Sequence, residues 1–228
     1  MAKGIRIGQN AHAWGKYIGK LGIDGKKPVV VLDDHAGLHA ARVWFILKYF
    51  GVADVRLLNG FWKGWQEAKL PITKEKKVPV PVAFAAVPNE KLLATKEEIV
   101  DSIAGKEEKL QILDARTQEE FVGIKALGNP RVGHLPAACH LDWVELVDTK
   151  GSQRFKSPVE LDKLLKKAGV DLSKPVVTHC QGGGRAAVMM FAAELMGAKE
   201  VSNYYSSFQE WSRDPNAPIE SEKKETDK

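Results

Sequence analysis

The chain has 228 residues, 44% of them hydrophobic and 28% charged, which is the balance of a globular protein with one large domain or two ordinary ones. The 34 Lys and Arg residues slightly outnumber the 29 Asp and Glu residues and are scattered, so small anionic ligands fit better than a nucleic acid. Two cysteines, Cys139 and Cys180, are too few for a disulfide scaffold or a four-cysteine zinc site. The longest apolar run, residues 78–88, contains three prolines and is too short to span a membrane. We expect an α/β protein of the cytoplasm without a membrane or nucleic-acid partner, and a periplasmic location stays open if an export signal precedes residue 1.

An internal repeat divides the chain. Residues 22–30 (GIDGKKPVV) align with residues 169–177 (GVDLSKPVV), 147 positions later, and the same offset places Asp33 over Cys180. Residues 55–65 align with residues 201–211 at an offset of 146, so one residue is inserted or deleted in between. Matches in this order predict a duplicated domain.

The repeat also sets the expected domain boundaries. A Thr95-x-x-Glu98 capping box opens the second copy 85 residues before Cys180, and the same distance counted back from Asp33 passes residue 1. The first copy should therefore lack about fifty residues, through truncation or a downstream start, with a genuinely shortened domain as the alternative. The exposed sheet edge and core would then favour a homodimer or a marginally stable N-terminal half. We predict a partial inactive domain over residues 1–70, a Pro/Lys-rich linker over 71–94, a catalytic domain over 95–218 and a disordered charged tail over 219–228.

The second copy is predicted to alternate helices and strands. In chain order, the pattern gives a helix over 96–103, a strand over 110–114, a helical turn over 118–122, a strand over 137–141, a helix over 158–168, a strand over 176–179, a helix over 185–196, a strand over 201–204 and a short helix over 208–213. The helix over 158–168 has Ser157 as its N-cap and Pro158 as its first residue, and Gly169 ends it. Such alternation predicts a parallel sheet with helices on both faces.

The loop from Cys180 to Arg185 (CQGGGR) carries the strongest chemical signal. It follows a predicted buried strand, where open α/β sheets bind ligands, and Gly182, Gly183 and Gly184 let backbone amides turn inward as an anion cradle. These amides and the following helix N-terminus would stabilise a Cys180 thiolate, and Arg185 adds a permanent cation for sulfonate or phosphate oxygens. A buried cysteine before an ordinary turn is the alternative, but it gives no reason for this order of residues.

Five segments, in this order, resemble the rhodanese family of sulfurtransferases. They are LDARTQEEF, RVGHLPAA, FKSPVEL, PVVTHCQGGGRAA and SSFQEW. The first copy resembles the inactive N-terminal domain of tandem rhodaneses, with Asp33 at the nucleophile position and VRLLNGFWKGW near its end. The resemblance covers residues 10–215 and implies tandem rhodanese-like domains, each a parallel sheet flanked by helices on both faces, with the first copy incomplete.

The resemblance implies sulfur transfer by double displacement, as a thiosulfate sulfurtransferase. The Cys180 thiolate would take the sulfane sulfur of thiosulfate, release sulfite, and pass the sulfur from its persulfide to cyanide or a thiol. Gln181, Gly182, Gly183 and Gly184 would surround the substrate, Arg185 would hold the anionic donor, and neither a metal nor an organic cofactor is implied.

Four further residues are weaker candidates. Asp114 and Arg116 match the Asp-x-Arg of the family and are expected to hold the loop and strand ends through an ion pair. His134 is expected to be a hydrogen-bonded turn histidine rather than a catalytic base. Trp143 could be an apolar wall of the pocket or a core residue, and the sequence leaves both open.

Departures from the family pattern bear on the donor. The loop lacks the basic residue of many tandem thiosulfate enzymes, and it ends in Arg185 where mercaptopyruvate sulfurtransferases have Thr. Glu120 stands near the position of a donor-gripping arginine, and an Asp-Gly-Ser-Trp-like segment reads YSSF. Arg185 favours thiosulfate over mercaptopyruvate.

Two other functions compete with this one. A sulfur-carrier or protein-binding module would accept sulfur without turnover. A phosphatase or arsenate reductase is disfavoured because those enzymes have five residues between the cysteine and the arginine, and this chain has four.

Overall fold

The computed structural model describes residue 7, residues 10–106 and residues 109–221, and these residues form two compact units. The first contains the described residues up to Leu93 together with Asp148–Phe155, and the second contains Ala94–Val147 and the described residues from Lys156 onward. The division follows the repeat except at Asp148–Phe155, which the sequence assigns to the second copy. In the first unit, the Phe155 N–H donates to Asn59 Oδ1 at 2.9 Å.

The first unit is a small parallel α/β layer. Its elements are α1 (Ala11–Lys20), β1 (Val29–Val31), α2 (Leu38–Tyr49), β2 (Val55–Leu57) and α3 (Phe61–Glu67), followed by a 3-10 turn at Glu90–Leu92. The two strands pair in parallel with Val29 opposite Val55, and α2 is the crossover between them. Trp44, Phe45 and Phe50 are buried in its core.

The predicted linker lies along α1. Residues 71–89 contain neither helix nor strand, as their prolines and lysines predict. The Val82 N–H donates to the Gly19 carbonyl at 3.0 Å. A Cβ at Gly15 would lie 2.7 Å from the Phe84 carbonyl oxygen, so this close approach requires glycine. The extended segment is therefore hydrogen-bonded to the first unit, and the domain boundaries themselves stay a prediction.

The second unit contains a four-stranded parallel sheet. Its elements are α4 (Lys96–Ile103), β3 (Gln111–Asp114), α5 (Gln118–Phe121), β4 (Cys139–His140), a 3-10 turn (Trp143–Leu146), α6 (Pro158–Lys167), β5 (Val176–His179), α7 (Gly184–Leu195), β6 (Val201–Asn203) and α8 (Ser207–Trp211). Each helix and strand lies within two residues of its predicted bounds, and the 3-10 turn is an element that the sequence pattern did not predict. The strand order is β4-β3-β5-β6, and every pairing is parallel.

The sheet order explains where the site forms. β5 has a neighbour on each side, and all four of its residues are buried. On one face, Ile112 and Val177 pack with Ile99 of α4 and with Phe208 and Trp211 of α8. α7 is covered by apolar contacts along most of its length and packs against β5 and β6. Residue 180 thus follows the central strand, at the carboxyl edge where parallel sheets bind ligands.

The C-terminal segment is held by the second unit as far as it is described. His134 and Glu220 exchange two backbone hydrogen bonds, of 2.8 and 2.9 Å, as an antiparallel bridge. The tail is predicted to be disordered from residue 219, but its first residues are ordered by this pairing with His134. The hydrogen bonds offset the loss of conformational entropy there. Residues 222–228 lie outside the described part. No helix within the described residues is long and apolar enough to cross a membrane.

Candidate active site

Cys180 is the first residue after β5 and is 1% exposed. Two backbone N–H groups point at its sulfur: that of Gly182 at 3.4 Å and that of Gly183 at 3.1 Å. Gly183, with φ 81° and ψ −14°, is the N-cap of α7, so the turn needs a left-handed residue where the sequence has glycine. Amide donors and a helix N-terminus converge on Cys180 Sγ, which is the arrangement that stabilises an anionic sulfur.

Ser207 ties this turn to the start of α8. Its hydroxyl donates to the Tyr204 carbonyl at 2.7 Å and accepts from the Cys180 and Gly183 N–H groups, each at 3.1 Å. Ser207 Oγ lies 3.9 Å from Cys180 Sγ. Sequence reasoning left the YSSF segment without a role, and the structure gives one to its second serine, which fixes the two ends of the cysteine turn.

Amide side chains hold the loop from two further directions. The fully buried Asn203 donates from Nδ2 to the Gly183 carbonyl at 3.2 Å. Gln181 and Asn129 exchange two side-chain hydrogen bonds, of 2.9 and 2.8 Å. Gln181, predicted to contact substrate, therefore has its amide engaged by Asn129. Sequence reasoning missed Asn203 and Asn129, since no local motif marks either.

Arg185 forms a two-pronged ion pair with Glu120. Nη1 lies 2.6 Å from Oε2 and Nη2 lies 2.8 Å from Oε1, with the carboxylate residue 3% exposed and the Arg185 side chain 17% exposed. Burial opposes ionisation of Glu120, but hydrogen bonds and charge from Arg185 outweigh it and lower its pKa. Burial likewise opposes the charge on Arg185, and Glu120 together with the nearby Cys180 raises its pKa. Both groups are therefore charged, and Glu120 compensates the positive charge of Arg185. The sequence marked Glu120 only as a departure from the family pattern.

Asp114 and Arg116 form a fully buried ion pair behind the loop. Arg116 Nε and Nη2 bind the Asp114 carboxylate at 2.6–3.0 Å, and Nη2 also donates to the Gly133 carbonyl at 2.8 Å. The guanidinium lies 4.0 Å from the Phe208 ring centroid. His179 Nε2 lies 3.4 Å from Asp114 Oδ2, and burial lowers the pKa of His179 to about 4 despite that carboxylate. This cluster joins β3, β5 and α8 beneath the cysteine turn.

The remaining candidates lie in structural settings. His134 Nδ1 lies 2.9 Å from the Phe121 carbonyl, and the two rings stack at 3.7 Å. Trp143 is half-buried at the start of the 3-10 turn after β4, and its backbone N–H donates to the Ala115 carbonyl at 3.4 Å. A substrate contact of Trp143 stays a prediction. In the part of the chain that the structure describes, no group of three His, Cys, Asp or Glu side chains is arranged to hold a metal ion.

Comparison with known proteins gives relatives over nearly the whole chain. The family model for the rhodanese-like domain matches residues 5–68 and 95–214. Rat (Rattus norvegicus) thiosulfate sulfurtransferase is 33% identical over 215 residues, 92% of this chain and 70% of the relative. Mouse (Mus musculus) 3-mercaptopyruvate sulfurtransferase is 33% identical over 206 residues, 89% of this chain and 68% of the relative.

A solved structure shows the same fold. The anaerobic ergothioneine biosynthesis enzyme of Chlorobium limicola, in complex with trimethyl histidine, is 25% identical and superposes with a TM-score of 0.83. The match covers 93% of this chain and 55% of that one. The two segments of the family match coincide with the two copies of the repeat, and the relatives support sulfur transfer as the general reaction class. On these grounds, the chain belongs to the rhodanese family.

Proposed function

We propose that this chain is a sulfurtransferase in which Cys180 carries sulfane sulfur as a persulfide from a small anionic donor to cyanide or a thiol. The observation that supports this most directly is the pair of N–H groups of Gly182 and Gly183 aimed at the Cys180 sulfur. They provide hydrogen bonds for a thiolate before the reaction and for a persulfide after it.

The reaction with thiosulfate balances without a cofactor. The Cys180 thiolate attacks the outer sulfur of thiosulfate, a new S–S bond forms, and the donor S–S bond breaks to release sulfite. Cyanide then attacks the outer sulfur of the persulfide, so that thiocyanate leaves and the thiolate is restored. Ser207, Asn203 and the glycines keep the turn in place through both steps, because its backbone groups are already hydrogen-bonded before substrate arrives.

Thiosulfate as donor belongs to this proposal. The relatives include enzymes named for two donors, thiosulfate in the rat and 3-mercaptopyruvate in the mouse. The chain spans about 70% of the first and 68% of the second. The sequence favours thiosulfate because the loop ends in Arg185. The ion pair between Arg185 and Glu120 weakens that argument, since the cation already has a carboxylate partner.

A carrier or protein-binding module is the second candidate, and the first copy supports it. That copy has an equivalent turn, one residue longer, with Asp33 in place of a cysteine, so the chain already contains this scaffold without a nucleophile. The enzyme and the carrier would both accept a sulfur atom on Cys180, but only the enzyme would pass it to a small acceptor and react again.

Counting thiocyanate per chain separates them. Reduced protein is mixed with excess thiosulfate and cyanide, and thiocyanate is followed over time against a protein-free control. An enzyme forms many equivalents per chain at a constant initial rate. No thiocyanate above the control, together with a gain of one sulfur atom on Cys180 in the intact mass, would replace the enzyme proposal with a carrier that passes sulfur only to a protein partner.

A further inference from the structure

Glu120 combines three properties that are unusual for an acidic residue next to an anion-binding site. It is nearly inaccessible to solvent, it is ionised, and its carboxylate engages the cation that ends the cysteine loop. Its Oε2 also accepts the Thr117 N–H at 3.2 Å, as the capping-box residue of α5. A surface glutamate would be screened by water, but this one acts at short range in a poorly hydrated site.

The pairing changes what Arg185 offers to a donor. The two Glu120 oxygens occupy one N–H on each terminal nitrogen, and a guanidinium has five N–H groups in all. Arg185 can therefore still donate hydrogen bonds, but its positive charge is cancelled locally by the carboxylate. A donor with two negative charges would meet an ion pair rather than a free cation.

We propose that Glu120 is a specificity-determining residue that biases the Cys180 site against doubly charged sulfur donors such as thiosulfate and toward donors of lower charge, such as organic thiosulfonates and organic persulfides. The proposal rests on the proposed function, since it concerns the donor of the same Cys180 reaction. Glu120 acts through Arg185 and is a positioning residue in that sense.

The reaction with an organic persulfide also balances. The Cys180 thiolate attacks the terminal sulfur of R–S–SH, an S–S bond forms at Cys180, and the donor S–S bond breaks. R–S⁻ leaves, and the proton stays on the new Cys180 persulfide. No oxidant or reductant is consumed, and the leaving thiolate carries one negative charge where sulfite carries two.

Two donors of similar shape test the charge dependence. Methanethiosulfonate is thiosulfate with one oxygen replaced by a methyl group, so it carries one negative charge instead of two and reacts by the same S–S cleavage. Glu120→Gln removes the carboxylate charge and keeps an acceptor for the Thr117 N–H, because Gln also serves in a capping box. Glu119→Gln is the matched control: it removes the same charge one residue earlier, at an exposed position of the same helical turn.

The expected result is a shift in donor preference. If one donor charge gains about threefold in kcat/KM when the Glu120 charge is removed, two charges gain about tenfold. We therefore expect Glu120→Gln to raise kcat/KM for thiosulfate about tenfold, mainly through a lower KM, and for methanethiosulfonate about threefold. Glu119→Gln should leave the ratio between the two donors unchanged. Glu120→Asp keeps the charge and should keep the wild-type ratio.

The opposite results separate this inference from the proposed function. An unchanged donor ratio in folded Glu120→Gln, checked by its unfolding transition, overturns the role of Glu120 while sulfur transfer stands. Loss of activity with both donors in that folded variant overturns it too, since Glu120 would then be needed for catalysis itself. Should Glu120→Gln fail to fold, a thiosulfate-to-methanethiosulfonate ratio in Glu120→Asp that departs from wild type overturns it. Absence of sulfur transfer in the wild-type chain with either donor contradicts the proposed function.

Discussion

The turns at Asp33 and Cys180 occupy equivalent places in the two copies, and in each the backbone N–H groups point at one side chain. In the first copy, Asp33 accepts four backbone hydrogen bonds of 2.8–3.1 Å. The donors are the N–H groups of His35, Gly37, His39 and Ala40. In the second copy, two backbone N–H groups reach the Cys180 sulfur. The scaffold directs backbone amides at one side chain in both copies, a carboxylate in the first and a sulfur in the second.

The two turns also differ in length by one residue. Gly37 (φ 90°) and Gly183 (φ 81°) are the N-caps of α2 and α7, four residues after Asp33 and three after Cys180. The one-residue offset in the repeat therefore lies in this turn. The extra residue lets the first turn wrap around a carboxylate with two oxygens, whereas the shorter turn surrounds one sulfur atom.

The residue that braces each turn differs as well. Phe61 and Ser207 are equivalent, each opening a short helix with positive φ, of 49° and 57°. Phe61 is buried with its ring against Gly37, whereas Ser207 binds two N–H groups of the cysteine turn. Both copies thus direct backbone N–H groups at one side chain, which is a carboxylate in the first copy and a sulfur beside a buried hydroxyl in the second.

Removing the Cys180 sulfur is expected to have the largest effect on activity. Cys180→Ser should lower thiocyanate formation by more than about a thousandfold, because the nucleophile that carries sulfur is lost. Cys139→Ser is the matched control and should keep activity, since Cys139 is a half-buried residue of β4 outside the turn. Full activity in Cys180→Ser would contradict the mechanism.

Removing the Asp33 carboxylate tests whether the first copy has only a structural role. Asp33→Ala should leave sulfur transfer within about twofold and lower the free energy of unfolding by about 2 kcal/mol, because the backbone donors lose a charged acceptor. Asp34→Ala removes the same charge from a side chain that is 70% exposed, and it should have a much smaller effect. Denaturant unfolding and thiocyanate assays measure both. A tenfold loss of activity in Asp33→Ala would show that the first copy takes part in the reaction.

The hydroxyl brace is expected to have an intermediate effect. Ser207→Ala should lower kcat about tenfold, because the Cys180 and Gly183 N–H groups lose their shared acceptor and the turn loses its fixed geometry. Ser206→Ala is the control at an exposed neighbouring position. Equal activities of the two variants in single-turnover persulfide formation would remove Ser207 from the account.

The smallest effect concerns acid stability of the second copy. The pKa of His179 is about 4 in the fold, below its ordinary 6.5, so the unfolded chain takes up this proton first. Its contribution to stability is complete above pH 6.5 and is lost as the pH falls toward 4, at a cost of about 1 kcal/mol between pH 6.5 and 5.5. His179→Leu, which introduces the residue found at the equivalent position 32, should flatten this slope in unfolding measured against pH. An unchanged slope would assign the pH dependence to other groups.

Local signals made the second copy predictable. The capping box that starts at Thr95, the Ser157-Pro158 helix start and the glycines after Cys180 each fix a short piece of backbone without help from the rest of the fold. The offset that places Asp33 over Cys180 is also readable from the sequence, although its four amide partners are not.

Contacts between distant segments could not be read in this way. Glu120 and Arg185 are 65 residues apart, and Asn129 and Gln181 are 52 apart, so no spacing rule links them. Charged and amide side chains are also common on surfaces, and only the packed sheet shows that these are paired near the cysteine turn. Sequence reasoning therefore placed Cys180 and Arg185 in one loop but treated Arg185 as an uncompensated cation, whereas the structure pairs it with Glu120.

Under the proposed function, Cys180 accepts one sulfur atom, whereas Asp33 fills the equivalent place in the first copy. Intact mass of the reduced chain after incubation with thiosulfate, and again after cyanide, tests it most directly. The account predicts a gain of one sulfur atom, mapped to Cys180 by peptide analysis and absent in Cys180→Ser, and its loss as thiocyanate. A gain that persists in Cys180→Ser, or no gain with either thiosulfate or methanethiosulfonate, would contradict it.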